Sequence, residues 1–170
     1  MKVILTRKGE EILVDDEDYE VLSQYVWHIE RTGYAKRGFK IKGRCKSMLM
    51  HRQILGLEIG VKVDVDHING NRRDNRRCNI RICTRAQNMC NREKLSNNTS
   101  GYKGVSLKDG SRWCAQIKIN GRKKHIGCFD TPEQAHAAYC RAALEAHGEF
   151  ANFGEWKEPD EIKGRAKALG

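Results

Sequence analysis

Asp66 and His67 stand side by side ahead of Asn69, Gly70 and Asn71, and Asn79 and Asn88 follow in the same basic stretch. A carboxylate and an amide oxygen are hard donors that suit magnesium or manganese and leave positions for water and phosphate oxygens. A neutral imidazole can take a proton from water near pH 7. Asp66 and Asn88 on one divalent cation, with His67 beside it, would therefore hydrolyse a phosphate backbone, the cation steadying the departing 3′ oxygen. An isolated Asp-His pair is more often part of a solvated loop, so this reading depends on elements that bring the residues together.

Those elements are legible around the motif. Val63-Asp64-Val65 alternates with period two and predicts a strand leading into Asp66-His67. Asn69-Gly70 is a turn signal, and Ile80 and Ile82 are the next apolar anchors. Thr84 followed by Gln87 has the form of a capping box, which starts a helix near Arg85 and places Asn88 on it. The order is strand, loop, strand, helix. Successive strand residues point to opposite faces, so Asp66 and His67 reach one phosphate only across a bulge or at a strand end.

The first sixty residues read as a scaffold. Val3-Ile4-Leu5 and Ile12-Leu13-Val14 flank Lys8-Gly9-Glu10, which predicts a hairpin. Asp15–Asp18 precede Tyr19, Leu22, Tyr25 and Val26, a spacing for a short helix with acids in its first turn. Trp27–Ala35 and Gly38–Leu49 read as short strands separated at Gly33 and Gly38, and Met50–Gly56 as a short helix or turn. His51 is expected to pack or hydrogen-bond beside the later site rather than to act directly.

Composition narrows the partners. The chain has 170 residues, 39% hydrophobic, with a formal net charge of +10. Residues 66–94 hold eight Arg/Lys against three Asp/Glu, residues 97–128 seven against one, and residues 1–60 eleven against nine. A surface facing a polyanion is thus expected from about Asp66 onward, with nucleic acid ahead of an anionic membrane. No stretch reads as a signal peptide or a membrane span, so a soluble, cytoplasmic protein is expected. Seven cysteines are an odd number, which argues against a complete disulfide framework without excluding single bridges. Cys45, Cys78, Cys83 and Cys90 could form a four-thiolate zinc site, but they lack a close Cys-x-x-Cys pair and free thiols are the simpler expectation.

After the polar stretch 95–100, expected to be a linker, the pattern changes. Gly101–Leu107, Ser111–Ile119 and Arg122–Phe129 predict three antiparallel strands joined at Asp109-Gly110 and Asn120-Gly121. Thr131 and Pro132 then start a helix whose stripe of Ala135, Ala138, Tyr139, Ala142, Ala143 and Ala146 would sit close on the sheet. His136 and His147 are expected to pack or face solvent. The tail from Trp156 offers only a short possible helix over 160–169.

Residues Asp66–Asn91 resemble the HNH endonucleases, specifically the phage and intron-associated group with asparagine in the final position. The resemblance implies Asp66 and Asn88 as metal ligands, His67 as general base, and Asn79 as the residue that braces the loop and orients His67 by hydrogen bonding. It makes Asn71 and Asn75 supporting positions, with Arg72, Arg73, Arg76, Arg77 and Arg81 on phosphates or on the active-site strand. Members of this group commonly nick or cut double-stranded DNA at long sites to promote mobility of their own genes. A strand-rich N-terminal region resembles what precedes the motif in such proteins.

Gly101–Phe153 resembles the AP2 DNA-binding domain, through Tyr102-Lys103-Gly104-Val105, Trp113–Ile117, Ile126–Asp130 and Gly148–Phe153. The resemblance implies a sheet in the major groove, with Lys103, Ser106, Lys108, Gln116, Lys118, Lys123 and His125 at the contact positions. Ser106 stands where an arginine is usual, and Gly110 and His125 replace aromatics, so base preference does not carry over. Gln116 could pair with adenine and the lysines with guanine or phosphate, while Trp113 is expected in the core.

The expected fold is α+β: a ββα-metal nuclease core with a strand-rich N-terminal region over 1–94, and a three-stranded sheet on one helix over 101–154. The expected function is a homing-type, site-specific DNA endonuclease using magnesium or manganese, monomeric in solution and acting on double-stranded DNA without a membrane partner. The competing expectations are a DNA-binding regulator with an inert HNH-like fold and a zinc-stapled nucleic-acid binder.

Overall fold

The computed structural model describes residues 1–92, 94 and 98–154. The chain divides into two compact units, with the division between Asn91 and Arg92. The suggested helix over 160–169 and the first half of the suggested linker, residues 95–97, lie outside the described residues.

The first unit begins with a hairpin of β1 (Lys2–Leu5) and β2 (Glu11–Val14), as the turn at Lys8-Gly9-Glu10 predicts. Helix α1 (Asp16–Leu22) follows with Asp16, Glu17 and Asp18 in its first turn. Strands β3 (His28–Ile29), β4 (Ala35–Ile41) and β5 (Arg44–Leu49) form an antiparallel sheet in that order. Here the structure corrects the sequence reading. Gly38 does not end a strand but sits inside β4 opposite Ser47, and the chain reverses at Lys42-Gly43, both in the left-handed region at φ 47° and 75°. Two consecutive residues of this kind suit the tight hairpin turn that matches strand twist.

Helix α2 (Met50–Ile54) buries Met50, His51 and Ile54. Arg52 ties the segment that follows it, donating to the Val63 and Val61 carbonyls at 2.8 and 2.7 Å. Strands β6 (Asp64–His67) and β7 (Ile80–Cys83) then pair antiparallel, and helix α3 (Arg85–Cys90) follows directly. Thr84 and Gln87 form the predicted capping box, which fixes where α3 starts and hence where Asn88 lies. One core joins the hairpin, helices and sheets: Ile4, Ile12, Val14, Leu22, Trp27, Met50, Val65 and Ile80 are buried together. The N-terminal strands are therefore part of the unit that carries the motif. Leu13 accepts from the Asn75 N–H at 2.8 Å and donates to the Arg73 carbonyl at 2.9 Å, docking the 68–79 loop onto β2.

The second unit is a sheet of β8 (Val105–Lys108), β9 (Arg112–Ile119) and β10 (Arg122–Phe129), with β9 central, covered by α4 (Pro132–His147). Both predicted turns hold, with Asp109, Gly110, Asn120 and Gly121 all at positive φ. Thr131 accepts from the Gln134 N–H and Pro132 opens the helix. Ala135, Ala138, Tyr139 and Ala143 are buried on the sheet, while Ala146 is exposed, so the predicted stripe is one turn too long. His136 is buried between the rings of Tyr102 and Tyr139 with Nε2 3.0 Å from the Phe153 carbonyl, a packing role.

Candidate functional site

Asp66 and His67 close strand β6 in regular register, Asp66 opposite Arg81 and His67 opposite Ile80. The strand ends at His67, so the required end is there, without a bulge. The two side chains are buried in different company. Asp66 Oδ2 accepts from Arg81 Nε and Nη2 at 3.0 and 2.8 Å, and Oδ1 from Asn91 Nδ2 at 2.8 Å. His67 lies against His51 and Tyr34, with ring centroids 5.1 and 5.7 Å away. His51 and Tyr34 are themselves 5.2 Å apart, so three rings form one cluster.

Neither ring nitrogen of His67 has a hydrogen-bond partner among the described residues, and the same is true of His51 Nδ1 and of both polar atoms of the Asn75 side chain. Burial pushes the His67 imidazole below its ordinary value. The Asn75 amide, then Asp66 and Asp74, act in the opposite direction, although Asn75 and His67 do not meet hydrogen-bond geometry. His51 is pushed down to about 3, by burial first and then by His67 and Arg52. His67 thus offers a neutral, unpaired nitrogen, the form a general base needs.

Asn79 braces the loop. Its Oδ1 accepts from the Asn69 N–H at 3.0 Å and its Nδ2 donates to the Asp74 carbonyl at 2.7 Å. It does not bond the His67 ring as expected: its side chain is spent across the loop, and its backbone carbonyl takes the Ile68 N–H at 2.8 Å, which fixes the chain just after His67. Asn71 Oδ1 accepts from the Arg73 N–H, the supporting role expected of it.

Asn88 meets Asp64 rather than Asp66, donating Nδ2 to its Oδ2 at 3.1 Å. Asp64 and Asp66 are two apart in β6, and Asn88 and Asn91 are three apart at the end of α3, so each aspartate receives one amide. Sequence reasoning missed Asp64 and Asn91, although the strand period of two and the helix spacing of three both point to them. The donor chemistry fits a hard divalent cation: Asp66 supplies carboxylate oxygen, and with Nδ2 of Asn88 on Asp64, its Oδ1 remains to face a cation. Among the described residues no three His, Cys, Asp or Glu side chains gather as a metal site, so water and phosphate would complete the coordination. The same observation corrects the suggested zinc site. Cys45, Cys78, Cys83 and Cys90 lie on four separate elements, and Cys83 is buried, with its thiol pushed up to about 11 by burial and by Asp66 and Asp64.

The loop arginines have partners within the first unit. Arg72 donates to the Thr32 carbonyl and lies over the Tyr34 ring. Arg73 pairs with Glu10 at 3.3 Å, Arg76 forks onto Asp74 at 2.7 Å through both Nε and Nη2, and Arg77 pairs with Asp18 and Glu17. Arg72, Arg73 and Arg77 thus tie the loop to the N-terminal scaffold, and Arg76 braces it from within. Arg81, in β7, places its guanidinium on Asp66 of β6.

In the second unit, period two divides the sheet cleanly. Ala115, Ile117, Trp113 and Ile119 face α4, whereas Gln116 and Lys118 share the opposite face with Ser106, Lys108, Lys123 and His125. Gln116 Nε2 donates to Ser106 Oγ at 3.4 Å. Six of the seven expected contact positions thus lie on one helix-free surface, and Lys103 lies in the loop before it. Sequence reasoning missed two features of that face. Arg112 lies on it, and a Cys114–Cys128 disulfide crosses it. The disulfide depends on an extra residue in β10: the register shift between His125 and Gly127 brings Cys128 rather than Gly127 opposite Cys114.

Strands β6 and β7 followed at once by α3, with Asp66 and His67 closing the first strand, form a ββα arrangement. The family profile described as HNH endonuclease matches residues 49–90. A protein described as an uncharacterized HNH endonuclease of Acanthamoeba polyphaga mimivirus is 32% identical over 148 residues, which are 85% of this chain and 74% of the relative. The chain belongs to the HNH endonuclease family. A shorter match, 40% identical over 57 residues, covers 32% of this chain and 22% of an ethylene-responsive transcription factor of Arabidopsis thaliana. A solved structure described as DNA binding and cleavage by the HNH homing endonuclease I-HmuI is 21% identical, with a TM-score of 0.35, over 72% of this chain and 75% of that one.

Proposed function

We propose that this chain is a site-specific DNA endonuclease of the homing type, with residues 64–91 cutting and the open face of the second sheet reading the duplex. The observation that carries the reading is the buried, neutral His67, its ring nitrogens unpartnered, beside Asp66 and the helix that bears Asn88. His67 takes the proton of an attacking water at a ring nitrogen, and the Tyr34 and His51 rings hold the imidazole in place. Asn79 keeps the loop closed so that the backbone after His67 stays fixed. Arg81 and Asn91 hold the Asp66 carboxylate in one orientation. Magnesium or manganese, held by Asp66 and Asn88, would supply Lewis-acid stabilisation of the phosphate and the departing 3′ oxygen. Six polar or basic contact positions on one face, together with the short match to a plant transcription factor, support an AP2-like role for the second unit.

One observation favours the competing reading, a DNA-binding regulator with an inert fold: both oxygens of Asp66 are already occupied, by Arg81 and Asn91. Supercoiled plasmid carrying a library of candidate sites, incubated with magnesium, manganese or chelator, decides between them. Metal-dependent nicked circles, reduced at least ~100-fold by His67→Ala with binding retained, are expected. Specific retention without any cut product would leave the regulator.

A further inference from the structure

Strand β6 carries a second carboxylate two residues before Asp66. Side chains two apart in a strand share a face, and on that face Asp64 and Asp66 each meet an asparagine from the end of α3. The two asparagines are used differently. Asn91 is buried and gives its Nδ2 to Asp66 Oδ1 and to the His67 carbonyl, whereas Asn88 is half-buried and its Nδ2 donates to Asp64 Oδ2 at 3.1 Å.

An ionised carboxylate accepts hydrogen bonds and donates none, while a side-chain amide carries a donor and an acceptor on one plane. Asp64 therefore holds Asn88 one way round, with Nδ2 on the carboxylate and Oδ1 as the atom left for a ligand. Turning the amide over would set its oxygen against a carboxylate oxygen and lose the bond. The backbone of Asn88 is settled separately, by the Thr84–Gln87 capping box and by its N–H on the Thr84 carbonyl at 3.0 Å, but neither decides which way the amide faces. Asp64 supplies that constraint. Arg85 Nη1, 3.6 Å from Asp64 Oδ2 on a side chain 83% exposed, is too distant for a hydrogen bond and does not displace the amide.

We propose that Asp64 is a positioning residue of the metal site, fixing the Asn88 amide so that Oδ1 rather than Nδ2 is offered, together with Asp66, to a hard divalent cation. The proposal rests on the metal-dependent endonuclease reading, in which Asp66 and Asn88 are the ligands. A residue that bonds a ligand without touching the metal is commonly worth about 10- to 100-fold in metal affinity.

The test follows Mn2+ binding directly, by loss of the free ion's paramagnetic resonance signal on titration with the full chain in the absence of DNA. Asp64→Ala should weaken binding about 10- to 100-fold. Asp64→Asn keeps the shape but offers the amide both a donor and an acceptor, so its affinity should fall between Asp64→Ala and the parent. Asn88→Ala removes the ligand, and adding Asp64→Ala to it should weaken binding no further, because Asp64 acts through an amide that is then absent. Arg85→Gln changes the local charge without touching the amide and should stay within about twofold of the parent. In nicking, Asp64→Ala should raise the Mn2+ concentration that gives half the maximal rate and recover most of that rate at saturating Mn2+. Thermal unfolding in chelator checks that each variant is folded at the titration temperature, and Asp64→Asn carries the test if Asp64→Ala is not. Additive losses in the double variant would make Asp64 a ligand or an independent charge, and these, or parent-like binding by Asp64→Ala, overturn the positioning role while leaving the nuclease reading standing. A parent chain that neither binds Mn2+ nor nicks DNA with it removes the metal-dependent reading and the role of Asp64 together.

Discussion

Removing water from two neighbouring imidazoles fixes their protonation before any substrate arrives. His51 and His67 are both buried and both held below the ordinary histidine value, so each binds fewer protons folded than unfolded. Stability therefore rises with pH between the folded and unfolded values. For His51 the contribution is complete above about 6.5 and is lost as pH falls towards about 3, at up to about 1.4 kcal/mol per pH unit. Urea unfolding of the chain should weaken from pH 7 to pH 5, and His51→Phe, which keeps a ring against Tyr34 and His67, should flatten that decline while nicking at neutral pH persists. An unchanged pH dependence would assign the acid sensitivity to other groups. Asn91 offers a second test: its Nδ2 donates to Asp66 Oδ1 at 2.8 Å and to the His67 carbonyl at 2.9 Å. Asn91→Ala should cost about 2 kcal/mol in denaturant unfolding, because it leaves a buried carboxylate oxygen without its donor. The strand that ends at Asp66-His67 and the helix that bears Asn88 were legible because strand period and capping box are local signals. His51 packs beside His67 as expected, but the part of Tyr34 was not legible, since it comes from a separate segment that only the shared core brings to the two histidines.

Elements were read best where the backbone needs a particular residue. Asn120-Gly121, Asp109-Gly110, the Thr84–Gln87 capping box and Thr131-Pro132 all act within a few residues of themselves, and all stand where expected. Gly38 misled because a glycine tolerates a strand as well as a turn, while the true reversal uses a lysine in the left-handed region. The extra residue in β10 was invisible for another reason: a bulge is chosen by pairing across strands, and it alone brings Cys114 and Cys128 together. Gly104 shows the other extreme, a glycine with no substitute. Its φ is +76°, and a Cβ there would lie 2.1 Å from the Tyr139 ring. Backbone strain of about 1–2 kcal/mol would add to a clash that the buried ring cannot escape without leaving the helix–sheet contact. Gly104→Ala should therefore lower the thermal unfolding midpoint of the chain far more than Gly110→Ala, whose Cβ meets nothing within 4 Å.

Across the whole molecule, charge is sorted by distance in sequence. Arg77 meets Asp18 across 59 residues and Arg73 meets Glu10 across 63, so a charge count along the chain places positive surface where the folded protein has paired it away. The open face of the second sheet keeps Lys118 and Lys123 exposed, side by side across β9 and β10. Cutting and reading should then separate. Gln116, Lys118, Lys123 and His125 changed together to Ala remove four groups from the open face without touching its core side, because Ala115, Ile117 and Trp113 face α4. That variant should bind duplex DNA more weakly and with a shallower salt slope, yet nick at an undiminished rate once DNA saturates it, since the Asp66–His67 cluster lies wholly in residues 1–91. His67→Ala should do the reverse, keeping affinity and losing the cut. If the sheet variant instead nicked slowly at saturation with full affinity, the second unit would be completing the catalytic geometry rather than choosing where it acts.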